Sequence, residues 1–139
     1  MSEKLFSYLK SQSRNKIVFI KQDVLDLEEI DLGKKLSNQI KSVSSDKKIS
    51  MKFLMIMDEL FNSSFSSNSD YGKYLAIKNI GVLFEPELKI DFYQFLNKYS
   101  SSNILFVKWE GQIEKGILYF LTKEKGKKID IKNLSHIII

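Results

Sequence analysis

The chain has 139 residues, 43% of them hydrophobic and none of them cysteine; this composition excludes a disordered protein and thiolate chemistry, and it predicts one domain, residues 1–139, in a reducing cytoplasm. No apolar run approaches the roughly 18 residues that span a bilayer, so we expect neither a membrane segment nor a signal peptide. The net charge is +5, but 21 of the 22 basic residues are lysines, which is more typical of a solvated surface than of a site that reads nucleic-acid bases.

The first half of the chain alternates helical and extended patterns. Apolar residues at helical spacing predict helices over residues 2–12, over 32–43 and from Ser50 onward, and short apolar runs predict extended segments at 17–20 and 24–27. In the third helix, the side chains expected to turn inward are Leu54, Met57, Leu60 and Phe61, with Met51 and Met55 as filler of the core.

The centre of the fold is predicted between residues 74 and 109. A serine-rich stretch, 62–72, predicts a flexible loop before it. The runs at 74–78 and 104–109 have β-branched or aromatic members, as strands covered on both faces do. Residues 91–99 predict a short helix capped by Asp91. Two buried strands joined by a helix favour a parallel pair in an α/β domain.

The C-terminal third predicts further strands. Residues 117–121 follow a connection too short for a crossover, so we expect them to pair antiparallel with 104–109. Residues 129–131 and 137–139 are candidate edge strands. The predicted fold is therefore a three-layer α/β domain with a mainly parallel central sheet and an antiparallel C-terminal strand.

The string that most resembles a phosphate-binding loop is Gly33-Lys34. Such a loop needs a glycine five residues earlier, where this chain has Glu28, and a serine or threonine after the lysine, where it has Lys35. We interpret the string as the start of an ordinary helix.

Other candidates for chemistry are isolated side chains. Asp58, Glu59 and Glu85 are carboxylates that could form an acid/base site if the fold brings them together, and this is the competing enzyme hypothesis. Trp109 could stack a nucleic-acid base, although a core tryptophan is the commoner case. His136, the only histidine, has no ligand spacing around it, so we expect no metal or other cofactor.

A lysine-rich segment near Tyr119 supplies the alternative function, a basic nucleic-acid-binding module. Lysines on such a loop can contact phosphates, but a solubilising loop fits them as well. Its residues are Lys123, Lys125, Lys127, Lys128 and Lys132.

The segment from Leu75 to Leu88 resembles part of a known family, the small P-loop proteins called BrxF of type 3 BREX phage-exclusion systems in bacteria. The family's pattern has a strand ending in an acid, then Asn-Ile-Glu, an apolar pair, Phe-Asp-Pro and a leucine; a helix, Ser-Arg-Asn, a strand and Trp-x-Gly follow. The residues that match it in register are Asn79, Ile80, Phe84, Pro86, Leu88, Ser100, Trp109 and Gly111.

The departures from that pattern fall on nucleotide chemistry. Lys78 replaces the strand-end acid, Gly81 the glutamate and Ser101 the arginine, and the glycine-rich loop is missing. The resemblance therefore implies a degenerate P-loop-like scaffold without ATP hydrolysis, serving as a non-catalytic accessory subunit in anti-phage defence. Its partner would be a larger defence-system protein, such as an ATPase, or a second copy of itself. The expected partner-binding residues lie at strand ends: Phe84, Glu85, Pro86, Trp109 and Gly111.

Overall fold

The computed structural model describes residues 3–22, 25–43, 48–68, 70–123 and 126–139. In chain order its elements are α1 (Glu3–Leu9), β1 (Lys16–Ile20), β2 (Glu29–Asp31), α2 (Leu32–Val43), α3 (Ile49–Asn62), β3 (Ser66–Asn68), β4 (Gly72–Lys78), α4 (Phe92–Ser100), β5 (Ile104–Lys108), β6 (Gly111–Glu114), β7 (Ile117–Phe120), β8 (Lys128–Asp130) and β9 (Ile137–Ile138). Two 3-10 helices, Ile80–Phe84 and Pro86–Leu88, lie between β4 and α4.

The central sheet is mainly parallel, which confirms the predicted α/β class. Its order is β2-β4-β5-β1-β9, all neighbours in that path are parallel, and β3 pairs antiparallel with β4. The first strand of the chain thus lies inside the sheet, and β9 forms the predicted edge strand beside it. The predicted helix between β4 and β5 is present, and Asp91 caps it by accepting a 3.2 Å hydrogen bond from the Gln94 backbone N–H.

Residues 117–121 form an antiparallel strand as predicted, but not beside β5. β7 pairs with β6 and β8 in a separate three-stranded sheet. Both edges of β5 are already paired, with β4 and with β1, so no ladder is left for another strand. The chain turns away at Gly111, whose φ is +140°, and a Cβ there would lie 2.1 Å from the Tyr119 carbonyl oxygen.

Two short strands, β2 and β3, were not predicted from the sequence. β2 follows the predicted segment 24–27, of which Val24 lies outside the described residues; Leu25 and Leu27 pack on a face of the sheet instead of pairing. β3 lies inside the predicted loop 62–72, whose Ser69 is also outside the described residues. Each of these strands has only three residues, so its alternation is too short to recognise, and β4 pairs with both of them along one edge.

Alternate residues of the central strands face two cores. Ile17 and Phe19 belong to the larger core, which α2, α3, α4 and the second sheet cover. Val18 and Ile20 belong to the smaller core, which α1 covers. This is the expected three-layer arrangement. Within the described ranges, none of the helices is long and apolar enough to cross a membrane.

Candidate functional site

Phe84 and Trp109, two of the predicted partner-binding residues, lie in one aromatic cluster. The Phe84 ring centroid is 5.0 Å from that of Phe92 and 4.4 Å from that of Phe120. Trp109 packs on the same two rings, is only 4% exposed, and donates its indole N–H to the Gln112 carbonyl oxygen at 3.2 Å. These two side chains therefore hold α4 and β7 together and offer little surface to a partner.

The other three predicted partner-binding residues lie close to Phe84 or Trp109 in the chain. Glu85 and Pro86 are exposed, and Gly111 is half-buried. The part of the predicted surface that reaches solvent is consequently a short polar corner between the two 3-10 helices, without exposed large apolar side chains among its described residues.

The start of α2 confirms that Gly33-Lys34 begins an ordinary helix. The Asp31 carboxylate accepts hydrogen bonds from the Lys34 backbone N–H (2.9 Å) and from the Asn79 side-chain amide (2.8 Å). The bond from Lys34, and to a smaller extent the bond from Asn79, hold the pKa of Asp31 below its usual range. A carboxylate thus occupies the helix end at which a phosphate would have to bind.

Gly33 itself serves close packing. A Cβ at this position would lie 2.2 Å from the side-chain nitrogen of Asn79, and the Gly33 backbone N–H donates to the Asn79 carbonyl oxygen at 3.0 Å. Asn79 has a φ of +53°, a left-handed conformation that asparagine tolerates better than most residues.

The three candidate catalytic carboxylates do not converge. Asp58 turns toward α4, where its carboxylate accepts a 2.8 Å hydrogen bond from the Tyr99 hydroxyl. Glu59 turns toward α2 and lines shallow depressions with residues such as Lys35. Glu85 is exposed on the corner described above. This placement gives no support to an acid/base pair among them.

The candidate nucleic-acid lysines fall into two groups. Lys123 pairs with Glu114 at 2.5 Å, which raises the Lys123 pKa, and Lys132 pairs with Asp130 at 3.5 Å. Lys127 and Lys128 are exposed and, together with Lys89, line an open groove of about 530 Å³ between α4 and β8. Lys125 lies outside the described residues. Lys127 and Lys128 form no ion pair with another described residue, although the charge of Lys128 helps to lower the pKa of Asp130.

The outer side of α3 carries large apolar side chains that the sequence pattern had placed in the core. Met51, Leu54 and Met55, which we call the α3 face, are 57%, 45% and 60% exposed, although we expected them in the core. The core side of α3 consists of Met57 and Phe61, as predicted, and of Phe53. Nine of the fourteen residues of α3 are apolar, so no single apolar stripe identifies the buried side.

The α3 face adjoins a groove between α3 and α4. The groove has a volume of about 310 Å³, and apolar side chains dominate its lining: Leu54, Met57, Ile90, Phe95 and Tyr99, with Lys89, Asp91, Gln94 and Lys98 at the polar positions. A groove lined mainly by apolar side chains, with a few polar ones among them, is typical of a site that receives an apolar anchor from a partner.

Side-chain bonds fix α3 against α4 next to this groove. The Asp58 carboxylate accepts from the Tyr99 hydroxyl at 2.8 Å and lies 3.2 Å from the Lys98 ammonium. Burial and the nearby carboxylate raise the pKa of Tyr99, which therefore stays a donor at all ordinary pH values, and the Tyr99 bond lowers the pKa of Asp58. The groove is thus built on a preformed contact between two helices.

His136 has a structural environment. Its ring packs edge-on against Phe19, with centroids 5.8 Å apart, and its Nδ1 lies 2.8 Å from the Leu134 carbonyl oxygen. In the described part of the chain, no group of three histidine or carboxylate side chains could hold a metal ion.

Comparison with known proteins gives no match to a family model, to a curated protein or to a solved structure at a significant level. The candidate site therefore stands on its own geometry, and the α3 face with its adjoining groove is the site that this geometry defines.

Proposed function

We propose that this protein is a non-catalytic accessory subunit of a bacterial anti-phage defence system of the BREX kind, acting through protein–protein contacts. The α3 face is the observation that supports protein–protein contact. Three large apolar side chains are about half exposed there, next to an apolar groove. A helix that is apolar on nearly all sides is normally covered on all sides. We therefore expect the α3 face to be covered by something other than the described chain.

The chemistry of the α3 face suits partner binding. Methionine is flexible and polarisable, so Met51 and Met55 can adapt to a partner's surface. Covering Leu54 and Met55 would contribute about 2–3 kcal/mol of binding free energy, given their partial exposure, which corresponds to roughly 30–150-fold in affinity.

The defence-system part of the proposal rests on the resemblance of the chain, above all from Leu75 to Leu88, to BrxF proteins. The fold is compatible with a P-loop-like scaffold, since the first strand lies inside a mainly parallel sheet with a helical connection between β4 and β5. Such a resemblance supports a shared scaffold more than a shared activity.

The surroundings of β1 support the absence of nucleotide chemistry. After β1, where a phosphate loop would begin, the Lys21 backbone N–H donates to the Ile139 carbonyl oxygen at 2.8 Å, and its ammonium donates to the Gly111 carbonyl oxygen. No glycine lies between β1 and Gly33 to let backbone amides curl around phosphates. Lys78 ends β4 where magnesium-dependent ATPases need an acid.

The test is affinity purification from the native host followed by mass spectrometry. We expect a partner protein to co-purify with the wild type and to be lost from the double variant Leu54→Ser/Met55→Ser. The matched control is Leu121→Ser, because Leu121 is a 59% exposed leucine immediately after β7 of the second sheet. The proposal fails if no protein co-purifies with the wild type, or if the double variant keeps every partner.

Nucleic-acid binding is a second candidate function, favoured by the groove that Lys89, Lys127 and Lys128 share. Two carboxylates, Asp91 and Asp130, line the same groove and weaken its attraction for phosphate. Anisotropy titrations with duplex and single-stranded DNA at two salt concentrations would decide between the functions. Salt-dependent binding that Lys128→Glu abolishes and the exposed control Lys10→Glu preserves would favour this candidate; absence of binding at low salt would remove it.

A further inference from the structure

The charges on α3 are arranged against the helix dipole. Lys48 is its N-cap and Lys52 lies in its first turn, whereas Asp58 and Glu59 lie in its C-terminal half. α3 has no acidic residue in its first turn and no basic residue in its last. Helices are stabilised by the opposite arrangement, so the stability of α3 itself does not account for this pattern.

The same charges flank an apolar centre symmetrically. Lys52, Met55, Ile56 and Glu59 line one shallow depression on the surface of α3. The midpoint between positions 52 and 59 falls between Met55 and Ile56. Lys52 and Glu59 thus lie on either side of Met55, the most exposed residue of the α3 face, three and four positions away from it.

We propose that the α3 face binds a second copy of this chain, with the two α3 helices antiparallel about a two-fold axis near Met55. The proposal rests on the proposed role of the α3 face as a protein-contact surface and names its occupant. In this arrangement Lys52 of one copy meets Glu59 of the other at both ends of the contact. A parallel pair would oppose lysine to lysine and glutamate to glutamate.

Antiparallel pairing also suits the remaining properties of α3. Two antiparallel helix dipoles attract each other, and Met51, Leu54 and Met55 of the two copies cover one another around the axis. The pairing requires only a positive charge at position 52. It is therefore compatible with the interaction that Lys52 already makes within the chain.

The size of the contact sets the expected affinity. A helix of 14 residues is about 21 Å long, so a stable contact must extend beyond the α3 face to the flanks of α2 and α4. Small interfaces of this kind belong to weak, transient complexes. The dimer is accordingly concentration-dependent and reversible.

Charge exchange tests the pairing directly by sedimentation velocity over a range of concentrations. Lys52→Glu and Glu59→Lys should each weaken self-association about tenfold, because each puts like charges at both ends of the contact. Mixing the two variants should restore association, since every end then joins a glutamate to a lysine. Both substitutions improve the charges relative to the helix dipole, so loss of association would not arise from unfolding of α3.

A cysteine probe provides the independent measurement, because the chain has no cysteine of its own. Under mild oxidation Met55→Cys, near the axis, should form a cross-linked dimer, whereas Ser7→Cys, exposed on α1 across the central sheet from α3, should not. A wild type that stays monomeric at the highest concentration reached, a mixture that does not associate, or cross-linking at position 7 and not at 55 would each overturn the self-pairing. If the purified chain is monomeric while Leu54→Ser/Met55→Ser still removes a host protein, the proposed function stands and only the identity of the occupant is wrong.

Discussion

The hydroxyl of Tyr99 donates a 2.8 Å hydrogen bond to the carboxylate of Asp58, and this bond joins α4 to α3 beside the α3 face. Tyr99 is 7% exposed, so its hydroxyl would otherwise be buried without a strong acceptor. Asp58 also lies 3.2 Å from the Lys98 ammonium at the surface. The contact therefore contributes to stability mainly through the buried tyrosine, since exposed ion pairs contribute little.

Replacing Tyr99 with phenylalanine should reduce the free energy of unfolding by about 1 kcal/mol at neutral pH, because one hydrogen bond to a charged acceptor is lost. Urea unfolding followed by circular dichroism measures the difference. The matched control is Tyr93→Phe, because the Tyr93 hydroxyl has no hydrogen bond to another described residue. Equal effects of the two substitutions would contradict the role of the Tyr99–Asp58 bond.

The same pair predicts a pH dependence. The pKa of Asp58 is lowered in the folded chain, so the stability it contributes is present above its unfolded value of about 3.9 and is lost as the pH falls through the lower folded value. The difference in unfolding free energy between wild type and Tyr99→Phe should therefore shrink below about pH 4. Unfolding curves at pH 7 and pH 3 measure it, and a constant difference would count against the assignment.

Two glycines provide a matched test of the contact between α2 and the end of β4. Gly33→Ala should destabilise the fold by about 1–3 kcal/mol, since the new Cβ would lie 2.2 Å from an Asn79 nitrogen that Asp31 also holds. Alanine's helix propensity offsets only about 1 kcal/mol of this cost. Gly81→Ala should be nearly neutral, because its Cβ would meet Phe120 at an ordinary 3.6 Å. A larger loss of thermal stability for Gly81→Ala than for Gly33→Ala would contradict the close packing of Gly33 on Asn79.

Two neighbouring residues after β4, Phe84 and Glu85, should differ in how much they contribute to stability. Phe84→Ala should cost about 2–3 kcal/mol, because the half-buried ring packs on Phe92 and Phe120. Glu85→Ala should stay within about 0.5 kcal/mol of the wild type. Fluorescence of the single tryptophan, Trp109, can follow both unfolding transitions from within the cluster. Similar stabilities of the two variants would mean that Phe84 is not an anchor of the fold.

Local sequence patterns were enough to predict the parts of the fold that depend on local properties. Apolar runs predicted β1, β4 and β5, and apolar spacing with Asp91 as the cap predicted α4. The partner of β7 was not predictable in this way. It depends on both edges of β5 being occupied, which is a property of the assembled sheet. β3 was missed because three polar residues carry no strand pattern, and β4 supplies the ladder that stabilises them.

The candidate site was less predictable than the fold for a related reason. The exposure of Glu85 and Pro86 agrees with their place on a loop, but the burial of Trp109 depends on rings from α4 and β7 that come together only in three dimensions. The α3 face was assigned to the core because apolar residues surround most of α3, so periodicity could not separate its two sides. The excess of apolar residues in that helix was itself the available signal for a contact surface.

The exposure of the α3 face predicts which methionines react with an oxidant. Met51 and Met55 are 57% and 60% exposed, whereas Met57 is 1% exposed between the core residues of α3. Dilute hydrogen peroxide should therefore convert Met51 and Met55 to sulfoxides well before Met57, as peptide mapping by mass spectrometry can measure. In urea all three should react at similar rates, which is the control for local chemistry.

Oxidation of Met51 and Met55 should also slow as the protein concentration rises, because self-pairing of α3 covers them. Rates independent of concentration would contradict the pairing, and equal rates for Met55 and Met57 in the folded protein would contradict the orientation of α3.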